Sequence, residues 1–192
     1  MKIRGRGNST WKRFPKKGYQ LKFNDKESFL DLPKDKKWIF LAEYSDKTLM
    51  RNKIAFDMGY MSSLEYTPQS FYTEVYINKS YKGTYHITQK VEESNNRVDL
   101  GDTGYLLEID QPDRLDADDV YFRTNNYRNN HANEPFLFNI KEPNLDFDDA
   151  EYKYIKNLIN DFETTLKGSS FSNPTNGYAK YIDIDSFVDY YG

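Results

Sequence analysis

Arg4-Gly5-Arg6-Gly7-Asn8-Ser9-Thr10-Trp11 packs more potential chemistry into eight residues than any other stretch of the chain. Glycine lets the backbone approach a ligand closely and aim N–H groups at it, and arginine supplies planar paired donors that match phosphate oxygens. Lys12, Lys16, Lys17 and Lys22 add positive potential, so residues 1–22 hold eight cations and no acid. Such a segment binds an anion or forms a solvated basic face around a glycine turn. It is not a P-loop, because no Gly-Lys-Ser/Thr occurs, and it lacks the third glycine of a dinucleotide fingerprint.

Trp11, Phe14 and Tyr19 lie between these charges, as base-stacking side chains would in a nucleic-acid binder. The rest of the chain argues against that. Residues 1–60 carry 15 Lys/Arg against 7 Asp/Glu, residues 61–192 carry 12 against 23, and the total is −3. Further along, Leu49-Met50-Arg51-Asn52-Lys53 places Arg51 where it could reach a phosphate or carboxylate, with Lys53 on a solvated helix face. Glu74, Glu92 and Glu108 are isolated acids in or beside apolar strands. An acid on a partly buried face needs a cationic partner, and the basic segment offers several; for Glu74 a solvent-facing position is equally compatible. His86 and His131 lack metal-ligand spacing to another His or Asp, which argues against zinc. The acidic runs 116–119, 146–149 and 183–185 lack the Gly and terminal Glu of a calcium loop and read as caps and solvent-facing loops.

These residues need elements to hold them. Ile3–Gly7 reads as a short strand, Tyr19–Phe23 as a half-buried strand, and Pro15 and Gly18 favour a loop between them. Lys37–Ala42, with four consecutive apolar residues, reads as a buried strand. Ser45 is the expected cap of a helix from Asp46 to Met58, with Met50, Ile54 and Met58 as its apolar stripe and Gly59 as its stop. Ser70–Ile77 and Lys82–Thr88, joined by Asn78-Lys79-Ser80-Tyr81, predict a β-hairpin. Strands are expected at Tyr105–Ile109, Val120–Thr124 and Phe136–Lys141, with an Asn- and Asp-rich excursion over Asp113–Asn133. Ile155, Leu158, Ile159, Phe162 and Leu166 mark an amphipathic helix over Asp148–Lys167, and Asp183 or Asp185 caps a last short helix.

A length of 192 residues, 38% of them hydrophobic and 17% aromatic, suits one domain with one core, although two packed lobes also fit. No apolar run approaches the roughly 18–20 residues of a membrane span, and Met1–Gly5 lacks the apolar stretch of a signal peptide, so the chain reads as soluble. The absence of cysteine excludes disulfides and thiolate chemistry but leaves the compartment open.

The order of segments is the most specific signal. The Arg4–Trp11 run, Pro15-Lys16-Lys17 before Tyr19–Phe23, Lys37–Ala42 and Leu49–Lys53 together resemble the CotH family of spore-coat and surface-associated proteins. The resemblance continues through Glu74–Asn78, Tyr81–Tyr85, Asn96-Arg97-Val98, Gly104–Asp110 and Ser186–Tyr190, nearly the whole chain. It implies an α+β fold of mainly antiparallel sheet with packed helices, an atypical kinase-like fold. It also implies binding of ATP with Mg2+ and phosphorylation of Ser or Thr on partner proteins such as coat or surface proteins. Arg4, Arg6, Asn8, Ser9, Lys17 and Lys22 become the phosphate-facing residues, and Arg51, Glu74, Gln89 and Glu92 candidates for positioning the nucleotide. Nucleic acid and a membrane span are not implied; a spore-coat or bacterial surface location is.

Family members continue into an Asn-x-Asp-like and a Trp-Asp-x-Asp-like element that supply catalytic base and metal ligand. In the family these follow the segment matched here by Phe187–Tyr190, and neither follows it within these 192 residues. The expectation is therefore a domain fragment, β-rich and nucleotide-facing over 1–145 and helical over 146–192, that holds an anion without transferring phosphate. Two rivals remain: a carbohydrate or surface-polymer binding module, suited to 17 Tyr and 13 Phe, and a structural coat protein without catalysis.

Overall fold

The computed structural model describes residues 1–128 and 134–191. The fold is α+β with mainly antiparallel sheets, as expected. The chain divides into two compact units, Met1–Asp99 with Val188–Gly192, and Leu100–Phe187. No helix among the described residues is long and apolar enough to cross a membrane.

The first unit is built on five strands: β1 (Lys2–Arg6), β2 (Gly18–Phe29), β3 (Leu32–Leu41), β4 (Ser70–Ile77) and β5 (Ser80–Gln89), in the order β1-β2-β3-β5-β4. Register decides which side chains are buried. Tyr19 lies opposite Phe40 and Phe40 opposite Ile87, while Leu21 lies opposite Trp38. Because side chains alternate across a strand, these line one face, and with Val75 and Tyr85 they form the core. The other face carries Lys2 opposite Lys22, Lys22 opposite Lys37, and Arg4 opposite Gln20.

The β4–β5 hairpin turns at Asn78 and Lys79, with φ of 50° and 66°. Two successive left-handed residues give the turn whose twist matches a two-residue hairpin. Strands β2 and β3 extend beyond their expected limits and meet at Leu30 and Asp31, also at positive φ. The extension of β2 is polar and exposed over Asn24–Ser28, with register shifts after Lys22, and only Phe29 at its end packs on the core, so it lacks the alternation that reveals a half-buried strand.

Two helices differ from expectation. Ser9–Arg13, expected as loop, forms the short helix α1. The second, α2, runs from Arg51 to Met61 instead of from Asp46 to Met58. Leu49 sits at φ 59° and interrupts any helix begun at Asp46. Asp46, not Ser45, organises the start: its carboxylate accepts the Thr48 amide at 3.0 Å and the Arg51 amide at 2.9 Å. Gly59 lies inside α2, where a Cβ would come within 2.5 Å of Thr67 Oγ1, so it serves close packing and does not stop the helix. The stripe expected to face the core stays in solvent, Ile54 at 48% and Met58 at 65% exposure. Instead Phe56 faces His86, with ring centroids 5.7 Å apart.

The second unit pairs β6 (Leu106–Asp110), β8 (Pro135–Glu142) and β7 (Val120–Arg128) in that order. Helix α3 (Ala150–Lys167) buries Ile155 with Phe122 and Ile140, and Leu158 and Ile159 pack alongside. This is the face its periodicity predicted. The acidic runs tie turns: Asp119 accepts the Asp116 amide at 2.9 Å and Asp149 the Asp146 amide at 2.7 Å. Helix α4 (Ile184–Tyr191) begins with Asp183 accepting the Ser186 amide at 2.8 Å; its last turn belongs to the first unit, where Asp189 accepts both the amide and the hydroxyl of Ser63.

Candidate functional site

The basic loop between β1 and β2 closes over a cavity of about 210 Å3 in the first unit, lined by Arg6, Gly7, Thr10, Phe14, Lys16, Glu43 and Asn52 among others. Three glycines shape it. Gly7 has φ +119° and Thr10 Oγ1 lies 2.4 Å from where its Cβ would be, so any side chain there would be strained and would clash. Gly18 lets β1 and β2 approach, with Arg6 O 3.0 Å and Phe40 O 3.3 Å from the Cβ position. At Gly5 the Cβ position falls inside the Trp11 indole, 2.4 Å from Cη2, so the missing side chain lets α1 fold its tryptophan onto the sheet. Trp11 then packs edge-on against Tyr19 at 6.1 Å.

Lys16 and Glu43 give the cavity its charge. Lys16 Nζ donates to Thr84 O and lies 4.4 Å above the Tyr85 ring. Desolvation holds its pKa below the usual lysine value, opposed by the charge of Glu43. Glu43 follows β3 at φ 50°. Asn52 Nδ2 donates to its two oxygens at 2.9 and 3.1 Å, and His86 Nδ1 lies 3.1 Å from Oε1. The His86 side chain is fully buried, stacked on Tyr72 at 4.5 Å. Burial pushes its pKa down despite the Glu43 carboxylate, so the neutral ring carries its proton on Nδ1 and donates to Glu43. Nε2 has no hydrogen-bond partner among the described residues. His131, the other candidate weighed for metal, lies outside the described residues.

Of the residues singled out from sequence, the structure gathers Arg6, Asn8, Ser9 and Lys17 in or beside this loop. Lys17 Nζ is turned to Trp11 O, 5.6 Å from the indole centroid. Arg4 and Lys22 stand on the outer sheet face; Arg4 Nη2 donates to Gln20 Oε1 at 3.1 Å. Arg51 opens α2, its Nε 3.8 Å from Asp46. Glu74 is exposed on the distant hairpin, accepting from Tyr81 OH at 3.2 Å. Gln89 is buried and accepts the Gln69 amide at 2.9 Å and Tyr66 OH at 3.3 Å, while its Nε2 donates to Asn96 O. Glu92 does have cationic partners, but they come from Lys37 at 2.7 Å, Lys90 and Arg97, not from residues 1–22. Glu108, expected on a partly buried face, is exposed on β6, as is its neighbour Ile109.

Glu43, Asn52 and His86 are functional candidates that the sequence does not flag as a set. Glu43 and His86 are 43 residues apart and meet only because β3 pairs with β5.

Chemically, the cavity presents cationic Arg6 and Lys16, a glycine at positive φ and the Thr10 hydroxyl, which suit phosphate oxygens. A volume of about 210 Å3 lies below the roughly 300–1,000 Å3 of pockets that enclose a whole drug-sized ligand, and fits a phosphate chain. Magnesium fits less well. Glu43 is the one carboxylate among the lining residues, and its oxygens already accept from Asn52 and His86. No group of three or more His, Cys, Asp or Glu that could hold a metal ion occurs among the described residues.

A sequence profile of the CotH kinase protein family matches residues 3–191. No curated protein matches the sequence.

Proposed function

Because the chain belongs to the CotH kinase protein family, we propose that the cavity under the β1–β2 loop binds the phosphate chain of ATP. The observation that carries this reading is that Arg6, Lys16 and the Thr10 hydroxyl line one cavity with Gly7, whose φ of +119° and lack of a Cβ leave its backbone open to close approach. Arg6 and Lys16 neutralise phosphate charge, Gly7 allows the backbone to come close, and Thr84 O holds the Lys16 ammonium while the charge of Glu43 favours its protonated form. Lys17, donating to Trp11 O, ties the loop, Asn8 and Ser9 stand at the start of α1 beside it, and Arg51 lies at the margin of the site. The base lies outside the cavity, which is too small for it.

The reaction we propose these residues to serve is the family's, transfer of phosphate to Ser or Thr of coat or surface proteins at a spore coat or bacterial surface; they supply its phosphate-binding side, and no catalytic base is assigned among them. Positioning and charge neutralisation dominate phosphoryl transfer, and these residues provide both on the phosphate side.

Calorimetric titration with ATP, inorganic tripolyphosphate and a neutral oligosaccharide tests the binding reading. ATP and tripolyphosphate are expected to bind with affinities within about tenfold of each other, and the oligosaccharide not to bind. Saturable binding of the oligosaccharide with none of ATP would overturn it in favour of a glycan-binding module.

A further inference from the structure

Strand β1 forms one edge of the five-stranded sheet: all five of its residues are exposed, and it pairs with β2 alone. Along Lys2–Gly5 no further strand among the described residues lies on its outer side, the position at which a sheet edge can accept another strand. Lys2, Arg4 and Arg6 share a face, repeating every ~6.8 Å along the strand, and Lys22 lies directly opposite Lys2. Next in that row, Lys37 is neutralised by Glu92 at 2.7 Å. Lys2 and Lys22 have no carboxylate within ion-pair distance among the described residues. Like charges placed opposite each other weaken a sheet, so the row is costly without an anion to receive it.

Edge lysines also guard against aggregation, but the other edge of this sheet shows that the pattern is local. Strand β4 has no cation; Ser70, Tyr72, Glu74 and Tyr76 occupy its alternate positions. We propose that the β1 edge docks an extended acidic peptide, which adds as a sixth strand with carboxylates at alternate positions over Lys2, Arg4 and Lys22. In strand addition the main-chain bonds give affinity and alternate side chains give specificity, and here the specificity is for negative charge. A nucleic-acid strand fits less well. Trp11 and Tyr19 lie on the opposite sheet face, the indole over Gly5, and the cationic face of β1 and β2 offers no ring on which a base could stack.

The test is fluorescence anisotropy with the full chain and a labelled peptide alternating Glu with Thr or Val. Controls are the same peptide N-methylated at alternate amides, and an oligothymidylate. Binding that weakens about tenfold or more with Lys2→Glu/Lys22→Glu, and equally on N-methylation, is the expected result. Lys2→Gln/Lys22→Gln is expected to show a smaller loss in the same direction if the double charge reversal perturbs folding. Equal binding of the N-methylated peptide, tighter binding of the oligothymidylate, no peptide binding, or salt-dependent self-association abolished by the same variants would each overturn strand addition by an acidic partner.

Discussion

Two charged clusters in the first unit use similar residues to opposite ends. Around Arg97, whose side chain is fully buried, Nε lies 3.2 Å from Asp35, Nη1 donates to Glu92 and to Lys90 O at 3.1 Å, and Nη2 donates to Lys37 O. The guanidinium also sits 5.3 Å over Trp38. Charge here is met by opposite charge from the chain itself, leaving nothing for a ligand. Under the β1–β2 loop, Glu43 is held by an amide and a neutral imidazole, and Lys16 faces a cavity. Buried charge satisfied by counter-charge is architecture; buried charge positioned by neutral donors can still respond to a ligand.

The largest expected effect breaks the first cluster. Arg97→Met leaves Asp35 and Glu92 without their central cation, and removing one partner of a buried pair costs about 3–5 kcal/mol. Urea unfolding should show that loss, while nucleotide affinity of the folded fraction stays as it was. A loss of affinity without loss of stability would mean that the two clusters have been assigned the wrong way round.

Lys16→Met probes the second cluster. It should weaken ATP binding about tenfold, ~1.4 kcal/mol, by calorimetry, with a stability change well below that of Arg97→Met. Equal losses in both would make Lys16 structural.

The smallest effect is pH-dependent. Burial lowers the His86 pKa, so the unfolded chain takes up a proton near pH ~6.5 that the folded chain refuses. Stability is therefore complete above ~6.5 and declines as the pH falls towards the folded-state value. Glu43 and Asp57 favour the charged ring and Lys53 opposes it, but desolvation outweighs them. Urea midpoints of wild type and His86→Phe measured at about pH 7.5 and about pH 5.5 should show a smaller drop for the variant; equal drops would remove His86 from the account.

Much of this contrast was hidden in the sequence for a physical reason. The hairpin, α3 and the cationic N-terminal segment were legible because their signals are local: paired turn residues, a 3.6-residue period, a run of one charge. The ordered motifs also pointed to the family whose profile matches residues 3–191. Glu43 and His86, by contrast, become neighbours only through strand pairing, and Arg97 meets Asp35 and Lys37 across about sixty residues. The start of α2 was misread because the left-handed Leu49 leaves no mark in a hydrophobic pattern. Glu92 looked like a ligand-facing acid because an isolated carboxylate does not reveal whether its cation comes from the protein.

The packing of Trp11 on Gly5 gives the chain an internal optical contrast. Trp38 is wholly buried beside Arg97, and Trp11 is 36% exposed on the loop that covers the cavity. No other tryptophan occurs in the sequence. Emission therefore separates into a blue, shielded component that reports the core and a red, quencher-accessible one that reports the loop. Iodide quenching during a nucleotide titration would watch the loop move while the core served as its reference.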